Sequence, residues 1–263
     1  PGPKRRYFTL DSLDVLSQAK ESPDSLLEDL PVTLDEVQRA PELLLAVKRA
    51  VDRGRVKGGI LLTGSANFSL LRSVADSLAG RAVYLELSPF CKEEWEGSRK
   101  SLDLIDGLFR EKLDIDAWEG PRVDWRQMLC RGGFPPALEI EDDAARGMWF
   151  GGYVQTYLER DLRQLSNVGN LGDFQMLMRL AAGRTARLLN ESDLARDAGI
   201  SQPTCHRHMQ WLEVGCLISR LEAFHANASS GMRKAKKLMW QDSGLAAWLA
   251  GICCADDVSK RPD

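Results

Sequence analysis

The chain has no long apolar run. No stretch of its 263 residues approaches the ~18 consecutive apolar positions of a membrane-spanning helix, and nothing at its start reads as a secretory leader. The cytoplasm is therefore the expected compartment. Charge of one sign is also lacking, because 35 lysines and arginines stand against 38 acids for a net charge of -3. That balance excludes a global pull toward nucleic acid or an anionic membrane, so any such partner has to be met by a local patch. Histidine is scarce. Three are present, none beside a serine or cysteine in a hydrolase motif, and a catalytic triad is not indicated. His206 and His208 lie two apart on an expected helix, point to different faces and make no metal pair. The six cysteines, Cys91, Cys130, Cys205, Cys216, Cys253 and Cys254, lack metal-ligand spacing, and four have mainly apolar neighbours in sequence. Buried free thiols are expected, with Cys253 and Cys254 as an adjacent pair open to oxidants.

What is there is an ordinary globular composition, 44% apolar and 28% charged, in a chain long enough for one large domain or two of usual size. The stretch around which the rest is organised is Pro31-Val32-Thr33-Leu34-Asp35-Glu36-Val37-Gln38. Apolar and β-branched residues run straight into two adjacent carboxylates, the pattern of a buried parallel strand ending at a reactive edge. Ligands of open α/β sheets sit outside the carboxyl ends of the strands, where one acid can support a hydrated Mg²⁺ and the other orient a water. The same pair also suits a strand that enters a helix N-terminus, where the dipole favours anions.

Around it the spacing predicts alternating elements. A short strand over Arg6–Asp11 is followed by a helix from Ser12 to about Ala19, interrupted at Pro23. After the organising strand, Pro41 opens a helix from about Glu42 to Arg53 with Leu44, Val47 and Val51 on one stripe. Gly58-Gly59 turn into a second buried strand, Ile60 to Ser65; a helix through Leu70 to Leu78 then leads to a third strand, Ala82–Leu87. This order means parallel βαβ units with right-handed crossovers.

The combination Leu34-Asp35-Glu36-Val37-Gln38, Leu61-Leu62-Thr63-Gly64-Ser65, Ser77-Leu78-Ala79-Gly80-Arg81 and Leu87-Ser88-Pro89-Phe90 resembles the prokaryotic AAA+ superfamily ATPases that carry a C-terminal winged-helix domain of unknown function. The resemblance continues through Arg131-Gly132-Gly133-Phe134-Pro135, Tyr157-Leu158-Glu159-Arg160-Asp161 and Asp242-Ser243-Gly244-Leu245. It implies ATP and Mg²⁺ as cofactors. It implies further that Asp35 supports the metal, Glu36 activates the attacking water, and Ser65 is the polar sensor, with Thr63 and Asn67 as alternatives. Arg81 resembles an arginine available to phosphate; the other reading is a surface arginine at a helix C-terminus.

One departure outweighs the match. A Gly-x-x-x-x-Gly-Lys-[Ser/Thr] loop, whose backbone N–H groups cradle phosphate, occurs nowhere in the 263 residues. In the family that loop follows the central strand, between those matched here by Ile60–Thr63 and Val83–Leu87. Either these two strands close on each other or the sheet stays defective, since unpaired backbone groups are costly when buried. The expected architecture is thus α/β: a partial parallel P-loop sheet at 1–90, a helical linker region at 91–180, a winged helix-turn-helix at 181–242 and the start of a C-terminal extension at 243–263. The reading is of an ATPase fragment, truncated before its phosphate loop and before a nuclease-like domain, and not expected to bind ATP tightly alone.

Residues 91–180 hold Trp95, Trp118 and Trp125 among helical stretches, then an amphipathic helix from Trp149 to Leu165. Within it Glu159-Arg160-Asp161 suits either buried ion pairs or a solvated face. In the last third, Asn190 to Asp197 and Ser201 to Glu213 read as capped helices joined at Gly199, with a hairpin of Cys216–Leu221 and Lys237–Gln241. Nine lysines and arginines from Arg184 to Lys237 face five acids, an excess of four positive charges. If this module meets DNA, Gln202, Thr204, Arg207 and His208 are the candidates for base edges, and Arg233, Lys234, Lys236 and Lys237 for phosphates. The alternative is a protein-docking module or an interface between copies. A nucleotide-independent binding protein is therefore the second function class.

Overall fold

Three short runs of apolar and β-branched residues become the strands β1 (Arg6–Thr9), β2 (Val32–Asp35) and β3 (Ile60–Leu62), hydrogen-bonded in that order and all parallel. They are seen in a computed structural model that describes residues 5–54, 56–64, 78–97, 109, 124–156, 170–224 and 235–260. The chain divides into two compact units, Pro1–Glu86 and Leu87–Asp263.

In the first unit the register Phe8↔Leu34↔Leu62 lines one face of the sheet. On that side α1 (Leu13–Glu21), a 3₁₀ turn (Pro23–Leu27) and α2 (Leu43–Arg53) supply a core in which Leu10, Leu26, Leu34 and Leu43 are fully buried. Leu44 and Val47 of α2 point inward as their spacing predicts, and burying each side chain stabilises by about 1.5–3 kcal/mol. The register Tyr7↔Thr33↔Leu61 lines the other face, where Tyr7 and Leu61 stay 61% and 47% exposed.

The third predicted strand does not form. Residues Ala82–Leu87 belong to no ladder, and Val83 and Leu85 are 86% and 88% exposed. Among the described residues β3 has β2 on one side and no strand on the other. The two segments therefore do not close on each other. Without a neighbouring ladder, the backbone groups of 82–87 gain nothing from a strand conformation that water does not already provide. The expected helix from Leu70 to Leu78 lies, except for Leu78, outside the described residues.

The second unit is mostly helical: α3 (Trp125–Arg131), α4 (Pro135–Glu139), α5 (Asp143–Thr156), α6 (Leu171–Ala182), α7 (Glu191–Ala198), α8 (Gln202–Val214), the antiparallel pair β4 (Ile218–Leu221) and β5 (Lys237–Trp240), α9 (Ser243–Leu249) and α10 (Ala255–Ser259). The long helix predicted from Trp149 begins earlier, at Asp143, because the Asp142 carboxylate accepts the Ala145 N–H at 2.6 Å and starts it there. Tyr157, Leu158, Glu159, Arg160 and Asp161 lie outside the described residues. Buried Arg146 of α5 donates to the carbonyls of Ala137, Ile140 and Glu141 and so ties α5 to the end of α4. The core gathers Phe150, Phe174, Leu177, Met178, Leu194, Met209, Leu212 and Leu245.

Three stretches singled out in the sequence meet here. Asp242, 2% exposed, accepts the Gly133 N–H at 2.6 Å and the Leu245 N–H at 2.7 Å, so one carboxylate caps α9 and holds the turn after α3. The Phe90 N–H donates to the Gly133 carbonyl at 2.9 Å. The glycines are dictated by contact. A Cβ on Gly132, which also has φ +70°, would stand 2.3 Å from Asp242 Oδ1, one on Gly133 2.1 Å from the Phe90 carbonyl oxygen, and one on Gly244 2.7 Å from the Gly132 nitrogen.

Asn190 caps α7, Gly199 ends it in the left-handed conformation at φ +68°, and Ser201 caps α8, the two-helix turn expected from the sequence. Residues 186–189 run beside β5 with an antiparallel bridge Leu188↔Lys237 and bonds from Leu189 N–H to the Lys236 carbonyl and from Leu238 N–H to the Arg187 carbonyl. The cysteines differ from expectation: Cys130 and Cys205 are buried, Cys254 is half-buried, and Cys91, Cys216 and Cys253 are exposed free thiols. Apolar neighbours in sequence do not by themselves bury a residue that ends up on a turn. Among the described residues no helix is long and apolar enough to cross a membrane.

Candidate active site

The carboxyl edge of the parallel sheet brings together a bonded polar cluster. The ladders continue past β2 on both sides, with Leu10 N–H to the Asp35 carbonyl at 3.0 Å, Thr63 N–H to the Leu34 carbonyl at 2.9 Å and Val37 N–H to the Thr63 carbonyl at 3.2 Å. Asp35 is thereby fixed between neighbours. Its Oδ2 accepts the Tyr7 hydroxyl at 2.6 Å, and its Oδ1 accepts the Thr63 hydroxyl. These bonds, from Thr63 first and Tyr7 second, hold the Asp35 carboxyl below the usual carboxylate range, while the same contact raises the Tyr7 phenol. Asp35 is accordingly an anion at neutral pH.

Glu36 turns the chain away from the strand in the left-handed conformation, at φ +58°, which costs a non-glycine residue about 1–2 kcal/mol. The Gln38 amide donates to its carboxylate, and Val37 between them is fully buried. The chain then makes only a three-residue 3₁₀ turn, Val37–Arg39, and α2 begins at Leu43. So short a turn has no helix dipole of consequence, and the helix N-terminus reading of the acid pair loses its physical basis. Arg39 pairs with Asp11 beside the cluster.

Of the residues predicted for catalysis, Asp35 and Glu36 share this edge with Thr63. Ser65 and Asn67 lie outside the described residues. Arg81 is elsewhere. Its guanidinium bonds Asp52 of α2 at 2.7 and 3.1 Å and lines a shallow cavity with Gly58, Gly59 and Ile60, at the amino-terminal edge of the strands. Within this unit Arg81 therefore faces Asp52 at the end of α2 and not the acid pair. Tyr7 was not anticipated, since the Arg6–Thr9 strand has a readable period but its register against β2 does not appear in the sequence.

The donor chemistry suits Mg²⁺, because Asp35 and Thr63 offer oxygen alone and the carboxylate stays ionised. Among the described residues no three His, Cys, Asp or Glu side chains converge as a full metal cage. The described residues around the edge offer no phosphate cradle either.

We expect the Asp35 carboxyl, followed by carbon-13 NMR, to titrate below the usual range, and to move upward in Tyr7→Phe and further in Thr63→Val. An unmoved titration in both variants would show that these hydroxyls do not hold it.

In the second unit Gln202 and Lys237 are exposed, Thr204 bonds Ser201, and Arg207 lies over the Trp211 ring at 5.5 Å. His208 is a correction. It is 3% exposed between Phe174 and Trp211, with ring centroids at 5.0 and 5.1 Å, and reaches no ligand from there. Arg233 and Lys234 lie outside the described residues; Lys236 pairs with Glu222 at 2.8 Å.

Two family models match separate segments of the chain. Residues 3–96 match the model of an AAA domain, and residues 122–254 match a domain of unknown function, DUF8612. An uncharacterized protein of Mycobacterium tuberculosis, Rv2008c, is 28% identical over 221 residues, covering 84% of this chain and 44% of that protein. The uncharacterized protein Mb2031c of Mycobacterium bovis matches to the same extent. The chain therefore spans less than half the length of these curated relatives. No solved structure matches it. With that domain model covering half of its length, the chain belongs to the DUF8612 family, here joined to an AAA-type domain.

Proposed function

We propose that the first unit is the metal-and-water half of an AAA-type ATP hydrolysis site. Asp35 supports the Mg²⁺ through its ionised carboxylate, Glu36 takes the proton of the attacking water, and Thr63 holds Asp35 in place and serves as the polar group nearest the reacting phosphate. Bound Mg²⁺ supplies charge neutralisation at the phosphates. Arg81, tied to Asp52, has no part in this reading. The observation that carries it is the Asp35 carboxylate held by Thr63 at the carboxyl edge of a parallel sheet.

The phosphate loop is to be supplied by a strand that pairs with the free side of β3, whose outer neighbour is missing among the described residues. By itself the chain is expected to bind ATP weakly. The test uses a polypeptide that supplies a Gly-x-x-x-x-Gly-Lys-[Ser/Thr] loop ahead of β1. Glu36→Gln is expected to lower kcat by about 10²–10⁴-fold with ATP affinity retained, the range for loss of a general base. Hydrolysis undiminished in Glu36→Gln overturns the assignment.

For the second unit we read a helical region followed by a winged helix-turn-helix over 181–242. The order of α6, the 186–189 run, α7, α8, β4 and β5, with that run beside β5, supports it. A cytoplasmic location is in keeping with the free cysteines.

A further inference from the structure

We infer that the outer face of α8, with the adjoining hairpin, is a binding surface for duplex DNA, independent of the nucleotide reading above. One face of α8 belongs to the core of the unit: Cys205, His208, Met209, Trp211 and Leu212 are buried there, which fixes the rotation of the helix. Outward-facing positions then fall at Gln202, His206 and Gln210, one turn apart, with Arg207 beside them. Glutamine is a side chain that bonds base edges in pairs, Arg207 beside the stripe is placed to meet a phosphate, and a helix carrying glutamines on one face after a tight helix turn fits the major groove.

The acids of the segment are neutralised within it. All five carboxylates between Arg184 and Lys237 are engaged by bases of the same segment: Glu191 by His206 and Arg220, Asp193 by Arg196, Asp197 by Arg184, Glu213 by Arg220 and Glu222 by Lys236. Internal pairing therefore engages every carboxylate of the segment. Among the described residues Arg207 and Lys237 have no carboxylate partner, and Arg207 is held in place by the Trp211 ring. Glu191 also steadies the recognition stripe, since it takes His206 Nδ1 at 2.8 Å while Gln210 Nε2 meets His206 Nε2 at 3.0 Å. A preorganised polar stripe with Arg207 beside it, and with Lys237 exposed on the adjoining hairpin, complements a polyphosphate groove, and it is a poor surface for an apolar or acid-poor protein partner.

The test is fluorescence anisotropy of the whole chain, without nucleotide, against a labelled mixed-sequence DNA duplex over a series of salt concentrations. Binding should weaken linearly in log affinity against log salt, and Arg207→Gln and Lys237→Ala should each reduce the magnitude of the slope by about one. Lys237 is exposed on a strand, so its variant keeps the experiment decisive if the Arg207 variant loses its stacking and folds poorly. His208→Phe, whose side chain stays inside, serves as a folded control and leaves the slope unchanged. No binding at low salt, a slope unmoved by both substitutions, or tighter binding of single-stranded RNA of equal length would overturn the proposal. Because no ATP is present, failure here leaves the hydrolysis assignment standing, and the reverse also holds.

Discussion

Asp242→Ala is expected to destabilise the second unit by about 4 kcal/mol, which lowers Tm on the order of 10 °C for a domain of this size. The carboxylate is 2% exposed and receives the Gly133 and Leu245 N–H groups, with Phe134 and Gly244 N–H also directed at it. Removing it strands buried donors at roughly 1–3 kcal/mol each and deletes the cap of α9 at about 1 kcal/mol. Burial raises the Asp242 carboxyl above the usual range even against those donors, a sign of how dry the position is. Asp242→Asn should cost less, because one acceptor oxygen survives while the amide nitrogen confronts an N–H. Gly244→Ala should reproduce much of the loss without touching the carboxylate, since its Cβ would sit 2.7 Å from the Gly132 nitrogen. Thermal unfolding followed by circular dichroism checks all three; a shift in Asp242→Ala below about 3 °C would show the clamp to be dispensable.

The second large effect concerns acid. His208 is buried in the aromatic stack, its Nδ1 finds no hydrogen-bond partner among the described residues, and burial first, with Arg207 second, lowers its pKa to about 4 from the ordinary 6.5. The folded state thus resists a proton that the unfolded chain accepts. Stability is complete above pH 6.5 and is lost progressively as pH falls toward 4, by about 3 kcal/mol across that window. Urea unfolding at a series of pH values measures it. His208→Phe, which keeps the ring stacked between Phe174 and Trp211, should flatten this part of the profile while the carboxylate contribution at lower pH remains. An unchanged slope between pH 6.5 and 4 in that variant would assign the acid sensitivity elsewhere.

The family pattern in the second unit illustrates how motif and role separate. Arg131 to Pro135 and Asp242 to Leu245 read in the sequence as marks of kinship, with no stated purpose. Their purpose is mechanical: glycines without a Cβ let a buried carboxylate and a carbonyl approach two turns at once. By contrast, Asp35 and Glu36 read as chemistry from the start. In the fold they lie at the carboxyl edge of the parallel sheet, with Asp35 bonded to a hydroxyl of the neighbouring strand end.

Hydrophobic period and capping residues determined several of the elements. The parallel strands β1 to β3, the stripe of α2 and the capped pair α7 and α8 follow from short-range rules, since side-chain alternation and cap bonds span only a few residues. Tertiary structure alone decided the rest. Whether Ala82–Leu87 becomes a strand depends on a neighbour to pair with, and it finds none among the described residues. Whether His208 faces solvent or core depends on the rotation of α8 against Phe174, and whether Arg81 meets a phosphate or Asp52 depends on where α2 ends. Such outcomes rest on contacts between residues far apart in the chain, which a local pattern of polarity does not encode.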